Sequence, residues 1–267
     1  MKPKRRSILR INLGKIYYTI KRYFEWYFGK DKYAKTLINK KIGPTVYAHG
    51  TPLYRKLKDV DMWYQQNKVN NLKIAVNKLN GLVLYPGETF SYWRLIGKPT
   101  RKKGYVDGMV LYYGTFKPGV GGGLCQLSNL IYWITLHTPL NVVERHRHSY
   151  DVFPDSNRKQ PFGSGATCAY NYLDLRITNK TTQPYQLNLY LSEDELIGEW
   201  VSVNNPLYSY EVYEKDHKIT QEYWGGYVRH NTIYRRTYNS NHELINDEYI
   251  TENHAIMMYQ PFLSESS

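Results

Sequence analysis

Chemistry in this sequence is most strongly suggested by a cysteine that stands just after a run of glycines. Residues 119–123 contain four glycines, and Cys125 follows them at the start of an apolar helical pattern. The first turn of a helix favours an anion, because its dipole and free backbone N–H groups point there. A thiol at that position, beside a cation, can have its pKa lowered from about 8.5 into roughly the 3.5–7.5 range. Cys125 is therefore a candidate nucleophile, and the alternative is a packed, unreactive cysteine.

Two histidines downstream are candidate partners for that thiol. Residues 142–150 alternate in the manner of a strand, which would place His146 and His148 on one face. A cysteine followed by a histidine is the order of groups in papain-like thiol enzymes, where the imidazole holds the thiolate and later protonates the leaving group. His148 is the preferred partner and His146 the reserve. Either Asp174 or Asp155 is expected to orient the imidazole, and the sequence does not decide between them.

The groups around the cysteine also supply candidates for substrate binding. Glycines let backbone approach a ligand closely and present N–H groups to it. The backbone N–H groups of residues 123–125, with Gln126, can stabilise an oxyanion. Glu88 follows a Pro-Gly turn, where it is either exposed or caps a backbone group. The candidate substrate-binding residues are Glu88, Gly121, Gly122, Gly123 and Gln126.

Metal and cofactor sites are not indicated. His146 and His148 can act as two metal ligands, but no third ligand stands at a recognisable spacing. The two cysteines, Cys125 and Cys168, are not arranged as Cys-x-x-Cys. The glycine run also lacks the spacing of phosphate-binding and dinucleotide-binding loops. We therefore expect neither a metal nor a cofactor.

Positive charge is concentrated at the start of the chain. The net charge is +13, and residues 1–41 hold thirteen Lys or Arg against two acidic residues, so the remainder is close to balanced. A basic arm favours attachment to a surface, whereas a nucleic-acid-binding domain is expected to be basic across its binding face. No nucleic-acid partner is expected.

Residues 1–33 combine that charge with a helical pattern. Apolar side chains recur at helical spacing, at Leu9, Leu13, Ile16, Ile20, Phe24 and Tyr27. Such a helix can lie on an anionic membrane surface, or its stripe can pack on the domain behind it. No apolar run reaches the roughly 18–20 residues of a membrane span, and no secretory signal is evident. We expect a cytoplasmic protein, with peripheral membrane contact through residues 1–33 as one option.

The remaining patterns predict the elements that position these groups. An apolar stripe from Leu124 to Ile134 predicts a helix that begins near Cys125 and ends near Pro139. A second helix is predicted near residues 66–79, and antiparallel strands are predicted from residue 183 onward.

We therefore expect an α+β protein whose cysteine-bearing helix packs on an antiparallel sheet, with a β-rich C-terminal part. The expected division is 1–58 for the basic helix and connector, 59–203 for the core domain, and 204–267 for a β-rich extension packed on the core.

Five short segments resemble the VanW family. They are residues 86–91, 121–128, 144–149, 163–167 and 174–175. The family is named for an accessory protein encoded in some vancomycin-resistance gene clusters, so the resemblance implies a role in glycopeptide resistance or cell-wall metabolism. Relatives often carry an acidic residue where Gly165 stands here, which removes one candidate for orienting the histidine.

Two functions are consistent with these residues. The first is a thiol-dependent hydrolase or acyltransferase that acts on peptidoglycan-related peptides through Cys125, His148 and Asp174. The second is a non-catalytic module that binds a cell-wall precursor or a resistance partner protein through the glycine loop and tyrosines. Peptidoglycan or its precursor is the expected partner.

Overall fold

The computed structural model describes residues 7–54, 61–152 and 160–261. Within those ranges the chain forms four α-helices, one short 3₁₀ helix and fifteen strands, so the expected α+β class is confirmed. The helices are α1 (Ile8–Phe28), α2 (Met62–Leu79), α3 (Tyr92–Ile96) and α4 (Cys125–Leu136), with the 3₁₀ helix at Arg101–Lys103. The strands are β1 (Lys32–Tyr33), β2 (Thr36–Leu37), β3 (Thr45–Pro52), β4 (Leu82–Leu84), β5 (Glu88–Ser91), β6 (Asp107–Tyr112), β7 (Thr115–Val120), β8 (Asn141–Glu144), β9 (Tyr150–Asp151), β10 (Arg176–Thr178), β11 (Tyr185–Leu191), β12 (Glu195–Ser202), β13 (Ser209–Gln221), β14 (Tyr227–Tyr238) and β15 (Leu244–Met257).

A five-stranded antiparallel sheet supports the cysteine-bearing helix, as expected. Its strand order is β2-β4-β11-β12-β3. Trp200 in β12 donates a hydrogen bond from its indole nitrogen to Thr135 Oγ1 in α4, at 2.9 Å. A Cβ on Gly198 would lie 3.2 Å from Leu130 and 3.3 Å from Ile134, so α4 packs closely on the sheet at this glycine. The papain-like arrangement of groups stays a prediction.

The two long central helices follow the sequence pattern. α4 begins at Cys125 and buries Leu127 and Ile131 completely. α2 begins at Met62, a full turn earlier than predicted, and ends at Leu79, two residues before Gly81, whose φ is +79°. Both helices were predictable because their burial depends on local, regularly spaced side chains.

The predicted strand over residues 142–150 is wrong, and so is the placement of His146 and His148 on one strand face. β8 ends at Glu144 and belongs to the sheet β1-β5-β10-β8, whereas β9 begins at Tyr150 and pairs with β15 in another sheet. The chain leaves the first sheet because Arg145 is held by distant groups. Its guanidinium donates to the carbonyl oxygen of Gly165 at 2.9 Å and to Asn253 Oδ1 at 3.1 Å.

The C-terminal part is β-rich, as expected. β13, β14 and β15 form an antiparallel sheet, and β9 joins its edge in parallel. Arg235 in β14 connects this sheet to the end of α4, because its guanidinium donates to the carbonyl oxygens of Leu136 and Thr138 at 3.2 and 3.0 Å. The expected division of the chain at residues 58 and 203 stays a prediction.

The N-terminal helix α1 is held against the rest of the chain by one face. In this helix, which the structure describes in full, only Arg22 and Trp26 are buried. The apolar stripe points to solvent, as Leu13 at 58% and Ile20 at 64% exposure illustrate, so it does not pack on the domain. No helix in the described ranges has the length and apolarity needed to cross a membrane.

Candidate functional site

The backbone N–H groups of the three consecutive glycines are already used within the protein. Each donates to a backbone carbonyl at 2.9–3.0 Å. The pairs are Gly121 to Val106, Gly122 to Gly119, and Gly123 to Met109. These three donors therefore stabilise the junction between the β6–β7 hairpin and α4. Their predicted role in binding a substrate stays a prediction.

Close backbone packing explains why glycine stands at this junction. A Cβ on Gly122 would lie 2.1 Å from the carbonyl carbon of Gly108. Asn71 of α2 fixes the same contact, because its Nδ2 donates to Gly122 O at 2.9 Å and to Val106 O at 3.0 Å. Its Oδ1 accepts from Val106 N at 2.9 Å. We call residues 119–126 the glycine–cysteine segment.

The other two candidate substrate-binding side chains also have internal partners. Gln126 Nε2 donates to Pro52 O and to Thr51 Oγ1, both at 2.9 Å, which ties the start of α4 to β3. Glu88 accepts from Tyr85 N at 3.2 Å and lies 3.1 Å from Lys32 Nζ. Glu88 therefore caps a backbone group of its own turn, one of the two roles expected for it.

The Cys125 thiol packs against the segment that contains Cys168. Its Sγ lies 3.9 Å from the carbonyl oxygen of Cys168. Although the residue keeps a partly exposed surface, burial of the thiol raises the pKa of Cys125, and burial raises the pKa of Cys168 as well. A thiol with a raised pKa is largely protonated near neutral pH, which is opposite to the direction that nucleophilic catalysis requires.

The two candidate histidines lie in different environments. Burial and the nearby Arg145 lower the pKa of His148 to about 4, so its ring is neutral at neutral pH. His146 lies 3.0 Å from Glu144 Oε1 through its Nε2. In the part of the chain that the structure describes, no hydrogen bond or ion pair joins Cys125 to either ring. The thiolate–imidazolium pair stays a prediction.

Asp174 accepts hydrogen bonds from the start of α3. Its Oδ2 accepts from Ser91 Oγ at 2.5 Å, and its Oδ1 accepts from Trp93 N at 3.0 Å and from Leu175 N at 2.9 Å. Burial raises the pKa of Asp174 to about 6. Its three partners fix a turn of backbone, and no histidine is among them. Asp155, the other candidate to orient the imidazole, lies outside the described residues.

A metal centre is not apparent in the described ranges. Among these residues, no group of three or more His, Cys, Asp or Glu side chains could hold a metal ion. His146 and His148, the two ligands considered from the sequence, instead lie beside Glu144 and Arg145 respectively.

Glu144 is the centre of a polar cluster that the sequence analysis did not identify as a site. Its Oε1 accepts from Arg22 Nη2 at 2.5 Å and from Asp174 N at 3.1 Å, and lies 3.0 Å from His146 Nε2. Arg176 Nη1 lies 3.7 Å from its Oε2. Burial opposes ionisation of Glu144, but the hydrogen bonds from His146 and Arg22 outweigh that effect and lower its pKa to about 2.

A cleft of about 260 Å³ opens beside this cluster, between α1 and the core. Its charged lining includes both signs, from Lys21, Arg22, Glu25, Glu144 and Arg176. We call it the α1 cleft. Two separate sequence signals fall on this cleft. Arg22 lies on the face of α1 opposite the apolar stripe, where a charge needs a partner. Glu144 and His146 lie in segment 144–149, which resembles the VanW family.

Known proteins resemble this chain over much of its length. The sequence profile described as VanW like protein matches residues 67–201. Vancomycin B-type resistance protein VanW of Enterococcus faecalis (strain ATCC 700802 / V583) is 36% identical over 195 residues, which cover 73% of this chain and 71% of that protein. Uncharacterized protein YoaR of Bacillus subtilis (strain 168) is 30% identical over 119 residues, which cover 45% of this chain and 38% of that protein. No solved structure matches the chain significantly. The chain therefore belongs to the VanW family.

Proposed function

We propose that this chain contributes to vancomycin resistance as a VanW-like accessory protein. The observation that carries the proposal is 36% identity, over 73% of the chain, to a relative whose name states vancomycin B-type resistance. The aligned share of both proteins exceeds two thirds, so the similarity extends well beyond a short motif.

Within that role, we favour binding of a cell-wall precursor over thiol catalysis. A hydrolase or acyltransferase needs an ionisable thiol and free donors for an oxyanion. Burial raises the pKa of Cys125, and the N–H of Gly123 donates to Met109. Both observations support a structural role for the glycine–cysteine segment.

The α1 cleft is the proposed binding site for the precursor. Peptidoglycan stem peptides carry carboxylates and an ammonium group, and the cleft is lined by charges of both signs in Lys21, Arg176 and Glu25. Glu25 lies 4.0 Å from Lys21 and 3.7 Å from Arg176, so a bound peptide would exchange these long internal ion pairs for its own. Tyr18 and Tyr172 add aromatic surface with hydroxyl groups at the same place. Its volume of about 260 Å³ lies below the roughly 300–1,000 Å³ of drug-sized sites, so it suits the end of a peptide.

Replacement of the cysteine separates binding from catalysis. We expect Cys125→Ser to leave the minimum inhibitory concentration of vancomycin unchanged, in a strain whose resistance depends on this chain. Cys168→Ser is the matched control, because burial raises the pKa of both thiols. Thiol catalysis would be established instead if the strain with a folded Cys125→Ser protein lost resistance while the strain with Cys168→Ser kept it.

Titration calorimetry with a synthetic stem pentapeptide tests the cleft directly. We expect Lys21→Ala to weaken binding about tenfold, the effect of losing one charge-assisted hydrogen bond of roughly 1.4 kcal/mol, and Tyr172→Phe to weaken it by a smaller factor through loss of a neutral hydroxyl. Lys15→Ala is the control, because Lys15 is an exposed lysine of the same helix that does not line the cleft. The proposed site is contradicted if the unaltered protein shows no heat of binding, or if all three variants bind the pentapeptide equally well.

A further inference from the structure

The outward face of α1 is an apolar surface presented to solvent. Four side chains at helical spacing are each more than half exposed, at 58% for Leu13, 57% for Ile16, and 64% for both Ile20 and Phe24. Leu9, one turn earlier, is 71% exposed. Contiguous exposed apolar surface of this kind marks an interaction site, because leaving it in water is unfavourable.

The inward face of α1 is fixed to the rest of the chain by polar contacts. Arg22 is ion-paired with Glu144 at 2.5 Å, and Trp26 is 6% exposed. Arg94 donates from Nη1 to the backbone oxygen of Trp26 at 3.0 Å, and its guanidinium lies 5.9 Å from the centre of the Trp26 ring. These contacts orient the helix, so the apolar stripe is held facing outward.

Charge on and around α1 has the sign that an anionic surface attracts. Residues 1–41 carry thirteen Lys or Arg and two acidic residues. Three basic side chains of the helix are exposed, Arg10, Lys15 and Lys21. The one acidic residue of α1, Glu25, lies 3.1 Å from Arg22 and is partly neutralised by it.

We propose that the outward face of α1 binds the surface of an anionic membrane. The helix lies in the plane of the interface, with Leu13, Ile16, Ile20 and Phe24 inserted among the acyl chains near the headgroups. Arg10 and Lys15, the exposed cations of the helix that do not line the α1 cleft, contact lipid phosphates. An amphipathic helix with a basic polar side binds in this way, through buried apolar area together with electrostatic attraction.

Co-sedimentation of the full chain with vesicles tests this proposal. We expect binding to equimolar phosphatidylcholine and phosphatidylglycerol vesicles at low salt, and much weaker binding at high salt or to phosphatidylcholine alone. The double variant Ile16→Asp, Ile20→Asp should lose about a hundredfold in partition coefficient, since two apolar side chains no longer leave water. Both positions are exposed, so the fold should be retained.

A matched variant controls for added negative charge. Leu207→Asp, Tyr223→Asp introduces the same charges at positions that are 71% and 85% exposed and distant from α1 in the chain, and it should bind as the wild type does. Equal binding of the wild type to neutral and anionic vesicles overturns the proposal. An equal loss of vesicle binding in the α1 double variant and the control double variant overturns it as well. If light scattering shows a dimer that Ile16→Asp, Ile20→Asp dissociates, and no vesicles sediment the protein, a second copy is the occupant and the membrane is excluded.

Discussion

The glycine–cysteine segment and the α1 cleft both pair their polar groups internally, but only the groups of the cleft border open volume. In the segment, the N–H groups of three consecutive glycines donate to neighbouring backbone, and burial raises the pKa of the thiol. At the cleft, charged side chains of both signs border open volume. The segment stands out in the sequence, whereas the cleft joins Arg22 and Glu144, which are 122 residues apart.

This difference shows that a sequence motif can record a packing requirement. Glycine is needed at 122 because two backbones meet there, where a Cβ would lie 2.1 Å from the carbonyl carbon of Gly108. Gly121 and Gly123 instead adopt positive φ angles of 78° and 90°, which glycine tolerates best. A binding surface built from residues far apart in the chain leaves no local pattern. The following predictions test whether the two regions differ as described, in order of expected effect.

Removing the charge at the centre of the cleft should have the largest effect on stability. Glu144→Gln removes the negative charge that pairs with Arg22 at 2.5 Å. Removing one partner of a largely buried ion pair costs about 3 kcal/mol or more of unfolding free energy. Urea denaturation gives this difference. Glu211→Gln is the control, because its pair with Arg236 is solvent-exposed and its loss should leave stability nearly unchanged. Similar midpoints for the two variants contradict a structural role for the cluster.

Replacement of glycine by alanine should act with opposite signs in the glycine–cysteine segment and on the solvent side of α1. Gly122→Ala places a Cβ against the backbone of Gly108 and should cost about 2 kcal/mol, through overpacking. Gly14→Ala in α1 meets nothing within 4 Å and should stabilise the protein by about 0.5–1 kcal/mol, because alanine favours helix. Thermal and urea unfolding measure both. A well-tolerated Gly122→Ala would remove the packing explanation for the glycines.

The third prediction concerns the pH dependence of stability. Because the pKa of Asp174 is raised to about 6 from 3.8, the folded state binds its proton more tightly than the unfolded state does. The stability that Asp174 contributes is therefore present below about pH 4 and is lost as the pH rises to about 6, by up to roughly 1.4 kcal/mol per pH unit.

Asp174→Asn should remove that dependence. Its amide oxygen can still accept from Trp93 and Leu175, so the turn should survive. The unfolding free energy of the variant minus that of the wild type should rise between pH 4 and pH 6, as measured by urea denaturation at several pH values. A constant difference across this interval shows that Asp174 is not protonated more readily in the folded state.

The fold was predictable from the sequence wherever local spacing determines burial. α2 and α4 follow from apolar side chains three and four residues apart, and the C-terminal sheet follows from alternation. The strand predicted over residues 142–150 failed, because Arg145 is drawn to Gly165 and Asn253. Alternation within a segment contains no information about such distant partners.

The candidate site was predictable only as a set of residue types. The sequence predicted that Asp174 orients a histidine. Its hydrogen-bond partner is instead Ser91, which is 83 residues away in the chain. Burial of Cys125 depends on how the segment near Cys168 returns to α4. These are tertiary contacts, so the pKa of a thiol or carboxylate cannot be predicted from its neighbours in sequence.

The two faces of α1 have a thermodynamic consequence. Lys21 and Arg22 border the cleft, while Ile16 and Ile20 belong to the outward stripe of the same rigid helix. Because one helix carries both surfaces, a shift of the helix caused by a lipid surface on one face changes the affinity for a peptide on the other. Reciprocity then requires that a bound peptide strengthen vesicle partitioning by the same factor by which vesicles strengthen peptide affinity.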